Sequence, residues 1–154
     1  MSTNKKISIK KFVENIPENT EDWFGFVYLI ERTVDTDNGK PYRYVGCKMF
    51  HSTKKLPPLK KSGLKRKRKV TQDSDWKDYY GSSEQLKKDV EKYGKESYKR
   101  TILHLTTCKW ENKYVELLEQ IKRNIIVDDS YFNGILKLRI GKIPKNLKEK
   151  YVNK

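Results

Sequence analysis

A chain of 154 residues with 35 Lys and Arg against 20 Asp and Glu carries a formal charge of +15, which favours a polyanion, nucleic acid or an anionic membrane surface, as partner. One domain is expected at this length, burying roughly 70% of the surface its unfolded chain exposes, and the longest uncharged apolar stretch, Trp23 to Ile30, has eight residues, too short for a membrane span of about 20 or for a signal segment. Cys47 and Cys108 belong to no CxxC pair, so structural zinc or a disulfide framework has no basis and a reducing, cytoplasmic setting is expected; 12% aromatic residues argue against a disordered basic tail.

Residues 1–20 show little periodicity and read as a polar arm. Phe24, Phe26, Tyr28 and Ile30 alternate with Gly25, Val27 and Leu29, and Tyr42, Tyr44 and Gly46 alternate with Arg43, Val45 and Cys47, which predicts two strands. Asp37-Asn38-Gly39 lies between them, and Asn-Gly supplies the positive φ angles of a tight antiparallel reversal. Period two puts Tyr28 with Phe24 and Phe26, and Tyr44 with Tyr42, Gly46 and Lys48.

Residues 54–69 hold nine of the fifteen net charges: Lys54, Lys55, Lys60, Lys61, Lys65, Arg66, Lys67, Arg68 and Lys69, with no acid and with Pro57, Pro58 and Gly63 interspersed. Consecutive cations at 65–69 repel one another, so the segment reads as a solvated loop insertion that becomes ordered on a polyanion. Further on, Ser82-x-x-Gln85 is a capping-box pattern ahead of Leu86, Val90 and Tyr93, with Gly94 as a stop, predicting a short amphipathic helix.

Tyr98 to Leu105 reads as a third strand, and Trp110, Tyr114, Leu117, Leu118, Ile121 and Ile125 mark a longer helix with one apolar stripe. Residues 135–154 form a basic extension with one short apolar run, Ile135 to Ile140. The order predicts an α+β domain over 21–134, a small three-stranded antiparallel sheet flanked by helices with a long basic loop inserted.

Phe26-Val27-Tyr28 and Tyr44-Val45-Gly46, sixteen residues apart from tyrosine to tyrosine, resemble the two signatures of the GIY-YIG nucleases. The run Trp76-Lys77-Asp78-Tyr79-Tyr80-Gly81-Ser82, then Lys92-Tyr93-Gly94, then Ile102-Leu103 is similar to a phage and mobile-element branch of that family, which includes homing endonucleases. Glu116 and Tyr131-Phe132-Asn133 match the family's late glutamate and final asparagine, and Phe26 stands where the usual signature has glycine. The resemblance covers residues 24–133. It implies a DNA endonuclease that hydrolyses phosphodiesters with a divalent cation, Mg²⁺ or Mn²⁺, and needs no small-molecule cofactor and no membrane. The alternative is a non-catalytic nucleic-acid-binding protein that keeps the fold. Oligomeric state stays open.

The resemblance gives Tyr28 the task of orienting or deprotonating water, Tyr44 that of assisting at the phosphate or water, Glu116 that of metal ligand, and Asn133 that of holding the active-site tyrosine or phosphate by hydrogen bonds. No arginine aligns with the family's phosphate-contacting one, and Lys48 is the preferred substitute because alternation sets it beside Tyr44. His51 is either a second proton-transfer group or a loop histidine, and His104 reads as structural. On a helical wheel Glu116 and Glu119 both lie opposite the apolar stripe; either the helix turns that side to the cleft, or the ligand is Glu119 or Glu111. The nine cations of 54–69 are expected to bind DNA.

Overall fold

Alternation of apolar side chains builds an antiparallel pair, β2 (Gly25–Arg32) and β3 (Arg43–Met49), in a register that sets Tyr28 opposite Gly46 and Ile30 opposite Tyr44. The computed structural model describes residues 13–35, 41–136 and 139–152; the expected Asp37-Asn38-Gly39 turn lies outside the described residues. β6 (Tyr98–Thr106) pairs antiparallel with the other side of β2. A bulge interrupts that ladder: Val27 faces His104 while Tyr28 faces Ile102, so Leu103 is the extra residue. It moves the inward face of β6 by one position, which is why Ile102 and Leu105 share one core and Leu103 joins the other.

A fourth strand completes the sheet. β1 (Val13–Glu14) runs parallel to β6, giving the order β1-β6-β2-β3. These two residues belong to the stretch expected to be an arm. They are too few to show periodicity, but Val13 is buried and the Asn15 amide donates to the Ile102 carbonyl at 3.1 Å.

The sheet is covered on both faces. Phe26, Tyr28, Ile30 and Tyr44 pack with Trp76, Tyr80 and with Leu86 and Val90 of α1 (Glu84–Tyr93). Val27, Leu29 and Val45 pack with Val115 of α2 (Lys109–Lys122) and with Ile125 and Tyr131 beyond it. The cap of α1 is Ser83, whose hydroxyl accepts from the Leu86 N–H at 3.3 Å, one residue later than the capping-box reading; Gly94 ends the helix at φ +84°. Arg100, buried on β6, donates to the carbonyls of Trp76, Lys77 and Tyr79, pinning the loop ahead of α1.

α2 inverts the expected polarity. Its buried residues are Glu111, Asn112, Val115, Glu119 and Gln120, whereas Leu118 and Ile121 of the predicted apolar stripe are 43% and 52% exposed. Burying carboxylates requires partners, and both have them. Glu119 binds the exposed His104 at 2.8 Å and Arg123 at 3.1 Å. Glu111 accepts from the backbone N–H and hydroxyl of Thr107, from Lys150, and from the Tyr151 hydroxyl of α3 (Lys148–Val152).

The basic segment is not a loop throughout. β4 (His51–Leu56) and β5 (Arg68–Asp73) form an antiparallel ribbon, and only residues 57–67 form its irregular tip. Thr53, Val70 and Thr71 give the arms β propensity, while Pro57-Pro58 ends β4. Lys55 stands opposite Lys69, a like-charge pair that works against the ribbon. None of the nine cations has an ion-pair partner among the described residues. No helix among the described residues is long and apolar enough to cross a membrane.

Candidate active site

β3 is the edge strand, and the chain after α2 returns to cover it. The Arg43 N–H donates to Ser130 O at 2.9 Å, the Phe132 N–H to Arg43 O at 2.7 Å, and Tyr131 bridges Arg43 in parallel. Asn133 continues this pairing with its side chain, accepting from the Val45 N–H at 3.0 Å and donating to the Val45 carbonyl at 2.8 Å. The asparagine therefore substitutes for a strand partner at the second motif. Both of these side-chain hydrogen bonds go to the backbone of Val45 rather than to a tyrosine.

The glycine of that motif is required sterically. A Cβ on Gly46 would lie 2.7 Å from the Tyr28 hydroxyl and 2.7 Å from Tyr44 Cε1. The two tyrosine rings sit with centroids 6.2 Å apart, and the missing side chain leaves the room they fill. Gly81, at φ +82°, does the same from the opposite side, its Cβ position being 2.8 Å from Tyr44 Cε1. The next residue, Ser82, places its hydroxyl 3.0 Å from the Tyr44 hydroxyl.

Tyr44 opens onto a cleft of about 500 Å³ whose walls include Ser82, Tyr79, Cys47, Glu116 and Asn133. Side chains from both faces of the sheet meet there, around its edge. Of the three carboxylates left open by the sequence, Glu116 lines this cleft; Glu111 and Glu119 line a separate cavity on the far side of α2. Glu116 Oε2 accepts from the Cys47 thiol at 3.1 Å and from Lys113 at 3.4 Å. Burial and the Glu116 carboxylate push the Cys47 thiol up to about 12, so it stays a neutral donor.

Tyr28 is 2% exposed and does not form part of the cleft wall. Its phenol is raised well above the ordinary tyrosine value, first by burial and then by Tyr44, Tyr79, Cys47 and Glu116 around it. In this state it keeps its proton, which favours a donor's part over a base's.

Lys48 and His51 sit elsewhere. Lys48 shares a face with Tyr44, as alternation requires, but its ammonium pairs with Asp75 at 2.6 Å and lies 3.7 Å above the Tyr79 ring. His51 has both ring nitrogens engaged at the base of the ribbon, with Asp73 at 3.2 Å and Thr20 O at 3.3 Å. The cations on the cleft wall are instead Lys109, Lys113 and Arg139. Ser82 stood in the capping-box pattern and Tyr79 in the Trp76-to-Ser82 run, neither as a site residue; Cys47 and Arg139 had no site signal in the sequence.

A single carboxylate with no cluster of three His, Cys, Asp or Glu among the described residues suits a hard cation that keeps most of its waters and takes its other ligands from a bound phosphate. It does not suit a closed protein cage. The chain matches, over residues 9–136, the family model described as "Putative endonuclease segE, GIY-YIG domain". No curated protein matches the chain, and no solved structure does.

Proposed function

Because the chain belongs to the GIY-YIG endonuclease family, in its segE branch, we propose that it hydrolyses phosphodiester bonds of DNA with a divalent cation, Mg²⁺ or Mn²⁺, and has a phage or mobile-element origin. The observation that carries the reading is the convergence of Tyr44, Glu116 and Asn133, from β3, α2 and the segment after it, on one cleft at the sheet edge. Glu116 would hold the cation. When bound, the cation supplies charge against the phosphate oxygens and makes a nearby water more acidic. Tyr44 acts as a hydroxyl group that orients water and phosphate, with its own oxygen positioned by Ser82, and the buried Tyr28 packs behind it as a protonated phenol that supports Tyr44 rather than as a base. Asn133 fixes the strand that carries Tyr44.

Supercoiled plasmid is the direct test. The purified protein is expected to nick or linearise it in Mg²⁺, to stop on addition of EDTA, and to resume when Mg²⁺ or Mn²⁺ is added in excess. Tight plasmid binding with no product under any divalent cation would leave the non-catalytic nucleic-acid-binding reading instead.

The unpaired cations of the ribbon support backbone binding by Lys54, Lys55, Lys60, Lys61, Lys65, Arg66, Lys67, Arg68 and Lys69. Each phosphate contact contributes about 0.9 to the slope of log affinity against log salt. Replacing Lys65, Arg66 and Lys67 together by alanine is therefore expected to lower that slope by roughly 2 to 3. The midpoint of thermal unfolding should not move, because the tip is exposed. An unchanged salt slope would remove the tip from the DNA interface.

A further inference from the structure

We propose that the C-terminal extension belongs to the active site, and that its Arg139 is the guanidinium that grips the phosphate being cut; this rests on the endonuclease reading. The family match ends at residue 136, yet the cleft wall continues through Arg139 and Ile140. The segment after Ile140 is fastened to α2. Trp110 Nε1 donates to the Gly141 carbonyl at 2.9 Å, Lys150 and Tyr151 close on Glu111, and Leu147 is buried between these anchors in sequence. The helix that aims Glu116 at the cleft therefore also fixes the segment bearing Arg139.

Charge separates the three cations that line the cleft among the described residues. Lys113 is committed to Glu116 and to the Cys47 sulfur. Arg139 and Lys109 have no carboxylate partner among the described residues. A guanidinium presents two parallel N–H groups to two phosphate oxygens, while an ammonium is a single strongly hydrated point charge. Lys48, the other candidate, is neutralised by Asp75. Arg139 is thus the cation of the cleft able to hold a phosphate by two bonds without first giving up a protein partner.

The test compares Arg139→Ala, Arg139→Lys and Lys142→Ala, the last removing one charge from the same extension without touching the cleft wall. Single-turnover cleavage of a duplex by Arg139→Ala is expected to fall about 100-fold, the scale set by losing one donor to a developing oxyanion. Arg139→Lys should recover part of the loss, and Lys142→Ala should stay within about 3-fold of the parent. Duplex binding is measured in parallel in metal-free buffer, where Arg139→Ala should lower the salt slope by about 1. Cleavage by Arg139→Ala equal to that by Lys142→Ala, with the salt slope unchanged, overturns the proposal. If the parent itself does not cut, the endonuclease reading fails, and the salt slope alone decides whether Arg139 touches phosphate.

Discussion

Glu116→Gln is expected to lower metal-dependent cleavage by about 100- to 1,000-fold, the range lost when one principal stabiliser of the phosphate charge is removed. The substitution is nearly isosteric. Its amide oxygen still accepts from the Cys47 thiol, which sits 3.1 Å from the carboxylate, so the packing at the β3–α2 contact survives. The charge is what disappears, and with it the hard anionic ligand a divalent cation requires. The ion pair with the half-exposed Lys113 contributes at most about 1 kcal/mol, equivalent to a shift of roughly 2 to 4 °C in unfolding midpoint for a chain of this size. Mn²⁺ affinity, followed by electron paramagnetic resonance without DNA, should drop with the activity. Glu119→Gln is the matched comparison: its carboxylate is occupied by His104 and Arg123, so stability should fall and Mn²⁺ affinity should not. The opposite pattern, with Glu119→Gln losing the metal and Glu116→Gln keeping it, would reverse the assignment.

Residues whose role follows from local alternation were legible in the sequence. Tyr28, Tyr44 and Gly46 fall on one face by period two, and their pairing across β2 and β3 follows from that register. The polarity of α2 was not legible, because reading a helical wheel assumes that apolar residues face inward. Here Glu111 is satisfied by Lys150 and Tyr151, about 40 residues away, and Glu119 by His104 on β6. Partners so distant leave no local pattern. The same wheel did set Glu116 opposite the apolar stripe, and that side is the one turned inward. Self-repulsion of five adjacent cations argued for a loop at 65–69, but pairing of Thr53 with Thr71 and of Lys54 with Val70 extends a ribbon that takes in Lys54, Lys55, Arg68 and Lys69 and leaves the other five cations on its tip. Ser82 was displaced by one residue as a cap because Ser83 offers the same hydroxyl, which leaves Ser82 for Tyr44. Arg139 lay in the short apolar run of the basic extension, which carried no site signal, and only the anchors of that extension to Trp110 and Glu111 bring it to the cleft.

Glu111 makes the second large effect one of stability. Its side chain is fully buried. Burial pushes the carboxyl upward, but hydrogen bonds from Lys150, Tyr151 and Thr107 outweigh it and hold it at about 2, against an ordinary value of 4.5. A carboxyl depressed on folding stabilises above its unfolded value, and that contribution is lost as pH falls from about 4.5 towards 2. A shift of this size corresponds to about 3 kcal/mol at neutral pH. Lys150, half exposed, becomes solvated when its partner is removed, so Glu111→Gln should cost roughly 2 to 3 kcal/mol rather than the larger penalty of stranding a buried charge. At about 2 to 4 °C per kcal/mol, the midpoint should fall by roughly 5 to 10 °C. The pH dependence distinguishes this cause from a general packing defect. Urea titrations at pH 7 and pH 3 should show the gap between parent and variant narrowing at the lower pH, because the parent alone loses the Glu111 contribution there. A gap of equal size at both pH values would mean that the ionised carboxylate is not what fastens the extension to α2. If the gap does narrow, the variant's cleavage at neutral pH should also fall, since the segment carrying Arg139 loses one of its points of attachment to that helix.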